Sequence, residues 1–188
     1  IKMDENSIIT DFIEKPQEFV SDLAIIGIYF FKDGAKLKSE LQYLIDNNIK
    51  DKGEFQLTNA LENMKLKGAK FYPGKVEEWL DCGNPTAAIH ANKRVLEYTE
   101  NEESREDLCN ENSTVIEPCF IGHNVSLKDC TVGPHVSIGN NTCISNSTIK
   151  NTIIQNNTTI ANADLEDSMI GNNVEYLGGT KRVSIGDY

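Results

Sequence analysis

The 188 residues suffice for one large domain or two small ones, and a composition of 39% hydrophobic and 25% charged residues is typical of a globular protein. A net charge of −11 argues against nucleic acid as a partner, because a phosphate backbone requires a basic surface. Small phosphorylated substrates, which need only a few local cations, remain compatible. The sequence contains no apolar run long enough to span a bilayer and no signal-peptide core in residues 1–20, which predicts no membrane partner and a cytoplasmic location.

The five cysteines form no Cys-x-x-Cys pair, which disfavours a zinc site and indicates reduced thiols. Three of them, Cys119, Cys130 and Cys143, are predicted to pack in the interior of the carboxyl-terminal half. The chain begins at Ile1 within a pattern that resembles a strand and turn. We therefore expect a fragment of a longer protein.

Residues 1–98 are predicted to form a mixed α/β region. The continuous apolar run Ala24–Phe31 is typical of a strand that is buried on both faces. Apolar stripes beginning at Leu37 and Leu57 predict two helices, and Asn84 followed by Pro85 predicts the cap and first residue of a third, ending near Tyr98. The other predicted strands are Ile8–Ile13, Lys70–Tyr72 and Val76–Leu80.

Residues 99–113 are acidic and polar without apolar periodicity, which predicts a linker. From residue 114 onward a small aliphatic residue returns every five or six positions, a spacing that neither a helix nor a simple strand explains. This hexapeptide repeat predicts a left-handed parallel β-helix of roughly four coils over residues 114–188. The segment from Gly178 is expected to leave the coil and cap it. The residues expected to point inward are Ile121, Leu127, Val132, Ile138, Ile144, Ile149, Ile154, Ile160, Leu165, Ile170 and Val174.

Two short motifs could carry chemistry. Glu14-Lys15-Pro16 ends a predicted strand, where a carboxylate can accept from sugar hydroxyls and an ammonium can meet a phosphate. Asp81, in Trp79–Gly83, could hold Mg²⁺ beside phosphates. Gly27, inside its apolar run, indicates a close approach of a ligand or another backbone. Each motif alone is also compatible with an ordinary surface turn.

In order, the segments FIEKP, AIIGIYFF, KGEFQLTNAL and VEEWLDCGNP resemble the second half of the sugar-1-phosphate nucleotidyltransferases, which include the glucose-1-phosphate thymidylyltransferases. The resemblance covers residues 1 to about 98, and a hexapeptide β-helix commonly follows this domain in the family. It implies transfer of a nucleotidyl group from a nucleoside triphosphate to a sugar 1-phosphate, with release of pyrophosphate and Mg²⁺ as cofactor.

The resemblance also implies roles for individual residues. Glu14 would bind sugar hydroxyls, Lys15 would bind the sugar phosphate and assist catalysis, and Gly27 would let the backbone approach the sugar. Asp81 would be one of two aspartates that hold the metal and would thereby be catalytic. Glu54 lies in a region that the family also uses, but we expect it to cap the Leu57 helix instead.

The family's glycine-rich triphosphate loop does not occur in the 188 residues, so this chain alone is expected to be inactive. Asn84 replaces a threonine common in thymidylyltransferases, which leaves the sugar and the base open. A hexapeptide acyltransferase and a non-catalytic regulatory subunit remain alternatives. For the first, the candidate histidines His90, His123 and His135 are expected to be solvated or packing residues. We further expect self-association through the β-helix.

Overall fold

The structure is a computed structural model that describes residues 1–13, 18–99 and 107–187. It divides into two compact units, Ile1–Trp79 and Leu80–Tyr188, and each is described by itself. None of the helices in these described ranges has the length and apolar character needed to cross a membrane.

The amino-terminal unit contains a short antiparallel pair of strands, β1 (Lys2–Met3) and β2 (Ile9–Asp11), and two helices, α1 (Gly34–Asp46) and α2 (Leu57–Leu66). The predicted α2 stripe is confirmed, because Ala60, Leu61 and Met64 are buried. On α1, Leu44 is buried as predicted but Ile45 is 55% exposed. The two helices therefore pack together through a narrower apolar face than the sequence pattern indicates.

The predicted buried strand over Ala24–Phe31 is wrong in the described structure. The segment is assigned no strand, and Ile28 and Phe30 are 77% and 87% exposed. A buried strand requires hydrogen-bonded neighbours on both sides, and no described strand pairs with this segment. Only one side of the run is packed: the ring of Phe31 lies 6.1 Å from that of Tyr29 and 6.4 Å from that of Phe71, measured between centroids.

The strands predicted at Lys70–Tyr72 and Val76–Leu80 are also absent from the assigned elements of the described structure. The first still lies beside β2, since the amide of Ile9 donates to the carbonyl of Phe71 at 2.9 Å. The ring of Phe71 meets that of Phe12 edge to face at 5.2 Å. Among the described residues, one backbone hydrogen bond to β2 and ring contacts of Phe71 hold this segment in place without forming a ladder.

The second unit begins with helix α3 (Pro85–Tyr98), and its predicted start is confirmed. Asn84 is the amino-terminal cap, and its side-chain oxygen accepts from the amide of Ala87 at 2.9 Å. Ile89 and Leu96 are buried as predicted, whereas Val95 is 52% exposed.

The remainder of the unit is a parallel β-solenoid, which confirms the predicted fold class; its handedness stays a prediction. Short strands stack in parallel register on the coil before and the coil after, and one side forms a sheet of five strands, so there are about five coils rather than four. The strands are β3 (Cys109–Glu111), β4 (Thr114–Val115), β5 (Cys119–Ile121), β6 (Ser126–Lys128), β7 (Thr131–Val132), β8 (Val136–Ile138), β9 (Cys143–Ser145), β10 (Thr148–Lys150), β11 (Ile153–Ile154), β12 (Thr159–Glu166), β13 (Met169–Ile170), β14 (Glu175–Lys181) and β15 (Ser184–Ile185).

The last part of the chain does not leave the coil as predicted. Strand β14 pairs with β12, and β15 pairs with β13, both in parallel register. Residues 175–185 therefore form a fifth coil instead of a cap. The two consecutive glycines, Gly178 and Gly179, adopt left-handed backbone conformations with φ of 83° and 126°, and the strand continues through them.

The solenoid interior confirms the predicted hexapeptide pattern. Every residue predicted to point inward is buried, except Ile121, which is partly buried against the same core. Cys119 and Cys130 are buried as predicted, but Cys143 is exposed because the next residue, Ile144, takes the inward position of strand β9. No disulfide joins any two of the five cysteines.

The corners of the solenoid are held by stacked asparagines. The side-chain amide of Asn124 donates to Asn141, that of Asn141 to Asn157, and that of Asn157 to Asn173, at 3.1–3.2 Å. All four adopt left-handed backbone conformations with φ between 54° and 58°. Asparagine tolerates this conformation better than most residues and can hydrogen-bond along the stack, which explains its recurrence.

Candidate functional site

The sugar-phosphate side of the predicted site begins at Glu14 and Lys15. Both residues lie outside the described ranges, so their predicted contacts with sugar hydroxyls and with the sugar phosphate stay predictions. Nothing about their geometry enters the site described below.

Gly27 adopts a left-handed backbone conformation. Its φ is +82°, a left-handed value that favours glycine, and a Cβ built on it would meet no heavy atom within 4 Å. The left-handed backbone conformation, and not a lack of space, therefore favours glycine at this position. The predicted place of Gly27 beside the sugar stays a prediction.

Asp81 lies in an exposed turn immediately before α3. Its Oδ1 accepts a hydrogen bond from the amide of Gly83 at 3.0 Å. A Cβ built on Gly83 would lie 3.2 Å from both carboxylate oxygens, closer than ordinary van der Waals contact. Gly83 therefore provides the space and the N–H group that fix the carboxylate. In the sequence Gly83 is part of the Trp79–Gly83 motif, but its hydrogen bond to Asp81 is visible only in the structure.

The described residues around Asp81 form no complete metal site, and its role as a metal ligand stays a prediction. The described residues hold no group of three or more histidine, cysteine or acidic side chains that could bind a metal. Within those ranges Oδ2 of Asp81 forms no hydrogen bond, and the side chain is exposed. Mg²⁺ usually takes one or two carboxylates and completes its shell with water and substrate phosphates, so a single free carboxylate oxygen fits such a site.

Glu54 does not cap α2, contrary to the prediction. The cap position is Gln56, which forms no side-chain capping bond. Instead, the carboxylate of Glu54 accepts from the side chain of Gln56 at 3.4 Å, and its backbone forms a bridge with Asp51. This bridge closes the turn before α2.

The histidines have the surface and packing positions expected of them. His90 is exposed on α3, and the side chain of His123 is 76% exposed with Nδ1 3.0 Å from the carboxylate of Asp107. His135 is less exposed and lies 3.3 Å from the carboxylate of Glu97 on α3. Hydrogen bonding from His123 and from a backbone amide holds the pKa of Asp107 below its ordinary value.

Comparison with known proteins defines the class of the chain. Residues 1–98, slightly more than half of it, match the nucleotidyl transferase family. The chain therefore belongs to this family.

The curated relatives are sugar-phosphate enzymes. The chain is 28% identical to a glucose-1-phosphate thymidylyltransferase of Streptomyces antibioticus over 93% of its own length and 52% of the relative. It is 27% identical to the enzyme of the same name from Streptomyces griseus over 75% of this chain and 43% of the relative. A bifunctional sugar-1-phosphate nucleotidylyltransferase/acetyltransferase of Sulfurisphaera tokodaii is 35% identical over 50% of this chain and 22% of the relative. The chain thus spans about half the length, or less, of these relatives.

Proposed function

We propose that the protein takes part in nucleotidyl transfer from a nucleoside triphosphate to a sugar 1-phosphate, giving a nucleoside-diphosphate sugar and pyrophosphate. The observation that carries the proposal is the family match over residues 1–98, which ends with Asp81 and its helix. Similarity to two glucose-1-phosphate thymidylyltransferases supports a sugar 1-phosphate as the acceptor. The base and the sugar remain open.

In this reaction an oxygen of the sugar phosphate attacks the α-phosphorus, and the bond from that phosphorus to the bridging oxygen of pyrophosphate breaks. Glu14 would orient the sugar by accepting from its hydroxyls, and Lys15 would neutralise the sugar phosphate. The free backbone around Gly27 would admit the sugar. Asp81 would hold Mg²⁺, which when bound stabilises negative charge on the transferring phosphates.

We further propose that this chain carries the sugar-phosphate side of the site, and that triphosphate binding requires polypeptide beyond these 188 residues. The relatives are about twice as long, and no glycine-rich triphosphate loop occurs in the sequence. The 188-residue chain alone should then release no pyrophosphate from a nucleoside triphosphate and a hexose 1-phosphate. Turnover by the isolated chain would contradict this part of the proposal.

The test of the reaction is Mg²⁺-dependent pyrophosphate release by the protein joined to a triphosphate-binding segment. Asp81→Asn should lower kcat on the order of 10²-fold, because a carboxylate is lost where charge develops. Added Mg²⁺ should restore part of this loss. Lys15→Ala should raise KM for the sugar phosphate and lower kcat without such rescue.

The matched control is Asp164→Asn, which removes an exposed carboxylate on the solenoid. It should leave both kinetic constants unchanged. If Asp81→Asn turns over at the parental rate, Asp81 is only a turn residue and the metal assignment is wrong. If the parent protein shows no turnover with a nucleoside triphosphate of any common base, this result would favour the alternative of a non-catalytic regulatory subunit.

We also propose that the protein self-associates through the solenoid. A coil with flat strand-built sides offers a long surface for packing against a second copy. Sedimentation equilibrium at micromolar concentration should show an oligomer, and deletion of residues 110–188 should abolish it. A monomer under these conditions would count against the proposal.

A further inference from the structure

Asp81 is tied to the start of α3. The amide of Gly83 holds its carboxylate, and the cap residue Asn84 follows directly and bonds the amide of Ala87. The helix has 14 residues, so it extends about 20 Å from this turn to its far end. A displacement of the helix therefore displaces Asp81.

The middle of α3 is attached to the solenoid. The hydroxyl of Ser137 on strand β8 donates to Oδ1 of Asn92 at 2.6 Å, and the contact is partly buried. Nδ2 of Asn92 is also buried and finds no partner among the described residues. Ile89 and Leu96, on either side of Asn92 in sequence, are only 6% and 5% exposed. A partly buried hydrogen bond between apolar residues adds a directional contact to the apolar packing of the helix.

The last turn of α3 has a second attachment. Nε2 of His135 lies 3.3 Å from Oε1 of Glu97, while the other oxygen of Glu97 binds Arg94 on the same helix. His135 occupies a solenoid corner with φ of 63°, and its amide donates to the carbonyl of Pro118 in the preceding coil at 2.7 Å. The histidine is therefore anchored by the solenoid backbone, and its side chain is only 18% exposed.

We propose that the solenoid positions the catalytic aspartate: Ser137 and His135 hold α3 through Asn92 and Glu97, and α3 in turn holds Asp81 at a fixed place relative to the solenoid. This inference rests on the proposed function, since it assigns importance to Asp81 as a metal ligand. The four contact residues are positioning residues and touch no substrate. The solenoid then has a role in catalysis in addition to any role in assembly.

Because α3 is long, a small change at these contacts would cause a larger displacement at the end of the helix. A tilt of about 3° over a helix of about 20 Å moves its far end by about 1 Å. Catalytic groups must be held within about 0.5 Å of the productive geometry. Loosening the attachment at Asn92 or Glu97 would therefore be enough to misplace the carboxylate without unfolding either the helix or the solenoid.

The chain contains exposed cysteines that can carry spin labels, so the inference can be tested by distance measurement. Cys82, beside Asp81, and Cys143, on solenoid strand β9, are both exposed, and Cys109 is the other exposed thiol. With Cys109→Ser as background, spin labels on Cys82 and Cys143 report the distance between the turn and the solenoid by pulsed electron paramagnetic resonance. The parental chain should give one narrow distance distribution. Ser137→Ala combined with Glu97→Gln should broaden it, and amide exchange in α3 should accelerate on the order of 10-fold.

The controls separate positioning from general destabilisation. Ser126→Ala removes a hydroxyl from strand β6, on a different side of the solenoid, and should leave the distribution narrow. Ser137→Thr keeps a hydroxyl and should restore the narrow distribution relative to Ser137→Ala. If the double variant loses its solenoid circular dichroism, Glu97→Gln alone, at a partly exposed carboxylate, provides the same comparison. An unchanged distribution in a folded variant would overturn the inference.

Kinetics distinguish this inference from the proposed function. In protein joined to a triphosphate-binding segment, Ser137→Ala with Glu97→Gln should raise the Mg²⁺ concentration needed for half-maximal rate and lower kcat, with KM for the sugar phosphate unchanged. If the distance distribution broadens while Asp81→Asn is fully active, the proposed function fails and only the attachment of the turn stands. If Asp81→Asn is inactive and the distance distribution stays narrow, only the present inference fails.

Discussion

The solenoid and the segment 24–31 are built from the same kinds of residues but differ in burial. Ile149 and Ile160 in the solenoid are 0% exposed, whereas Ile28 and Phe30 in the apolar run are 77% and 87% exposed. In the solenoid, each strand finds its partner 15 to 17 residues away in the next coil. The run at 24–31 requires neighbouring strands that the described residues do not supply. The apolar pattern therefore predicts burial correctly in the solenoid, where each coil supplies the partner of the next, but not in the run at 24–31.

The difference also predicts where mutations should matter. A solenoid coil contacts only its neighbours, so its stability is a sum of short-range interfaces. Five such coils share one continuous apolar core. The amino-terminal unit instead relies on one helix pair and a few ring contacts. Identical substitutions in the two regions should have different effects, and the following predictions compare them in pairs.

The largest effect is expected from isoleucine truncation. Ile149→Ala, at a fully buried solenoid position, should lower the free energy of unfolding by about 2–5 kcal/mol because it leaves a cavity. Ile28→Ala removes the same atoms from an exposed side chain and should change it by less than about 0.5 kcal/mol. Urea unfolding monitored by circular dichroism measures both. Equal losses would show that the run at 24–31 is buried in solution.

Two glycines with left-handed backbone conformations test how much the space around a glycine matters for stability. A Cβ on Gly133 would lie 1.9 Å from the carbonyl oxygen of Ile116, whereas one on Gly27 would meet nothing within 4 Å. Gly133→Ala should destabilise the solenoid on the order of 3 kcal/mol, from backbone strain and the clash together. Gly27→Ala should cost only about 1 kcal/mol, from the backbone conformation. The comparison fails if thermal unfolding shows the two variants to be equally stable.

A smaller effect is expected in the asparagine stack. Asn141→Gly keeps the left-handed backbone but removes a side chain that bonds both neighbouring coils, which should cost about 1 kcal/mol. Asn48 in the amino-terminal unit has a similar φ of 51° and no side-chain hydrogen bond within the described ranges. Asn48→Gly should therefore be nearly neutral. A neutral Asn141→Gly would indicate that the stack contributes only through backbone conformation.

The smallest effect concerns pH at the two ends of the solenoid. The His123 imidazole and the Asn124 amide lower the pKa of Asp107, and the Asn172 amide lowers that of Asp187. A folded pKa below the unfolded value of about 3.9 gives stability that is present above that pH and is lost as pH falls through the folded value. The midpoint of unfolding should decrease slightly when the pH is lowered below about pH 4. Asp107→Asn with Asp187→Asn should reduce this acid sensitivity, and an unaltered pH profile would refute the assignment.

Sequence reasoning predicted the solenoid closely because its information is local. Each hexapeptide contains its own inward-facing aliphatic residue, and every coil stacks on its neighbour in the same way. The inward aliphatic residues and the capped start of α3 are accordingly confirmed. The wrong prediction for Cys143 is a local one: it lies within the repeat, but the next residue, Ile144, takes the inward position.

The candidate site could be predicted in part. Asp81 is predicted from its place at the end of a predicted strand before a glycine and from the family resemblance, and its role stays a prediction. Only the structure shows that the amide of Gly83 holds its carboxylate. Glu54 was assigned to the wrong partner because proximity in sequence does not fix the direction of a side chain. Glu14 and Lys15 remain predictions from family resemblance.

The sequence by itself determined the class of fold, the family resemblance and the inward residues of the repeat, since periodicity and motif order are properties of the chain. Only the tertiary structure decided the fifth coil, the exposure of the run at 24–31 and the attachment of α3 to Ser137 and His135. These features depend on which distant groups meet. Periodicity specifies which face of an element is apolar, but the contact that covers this face is decided by packing in three dimensions.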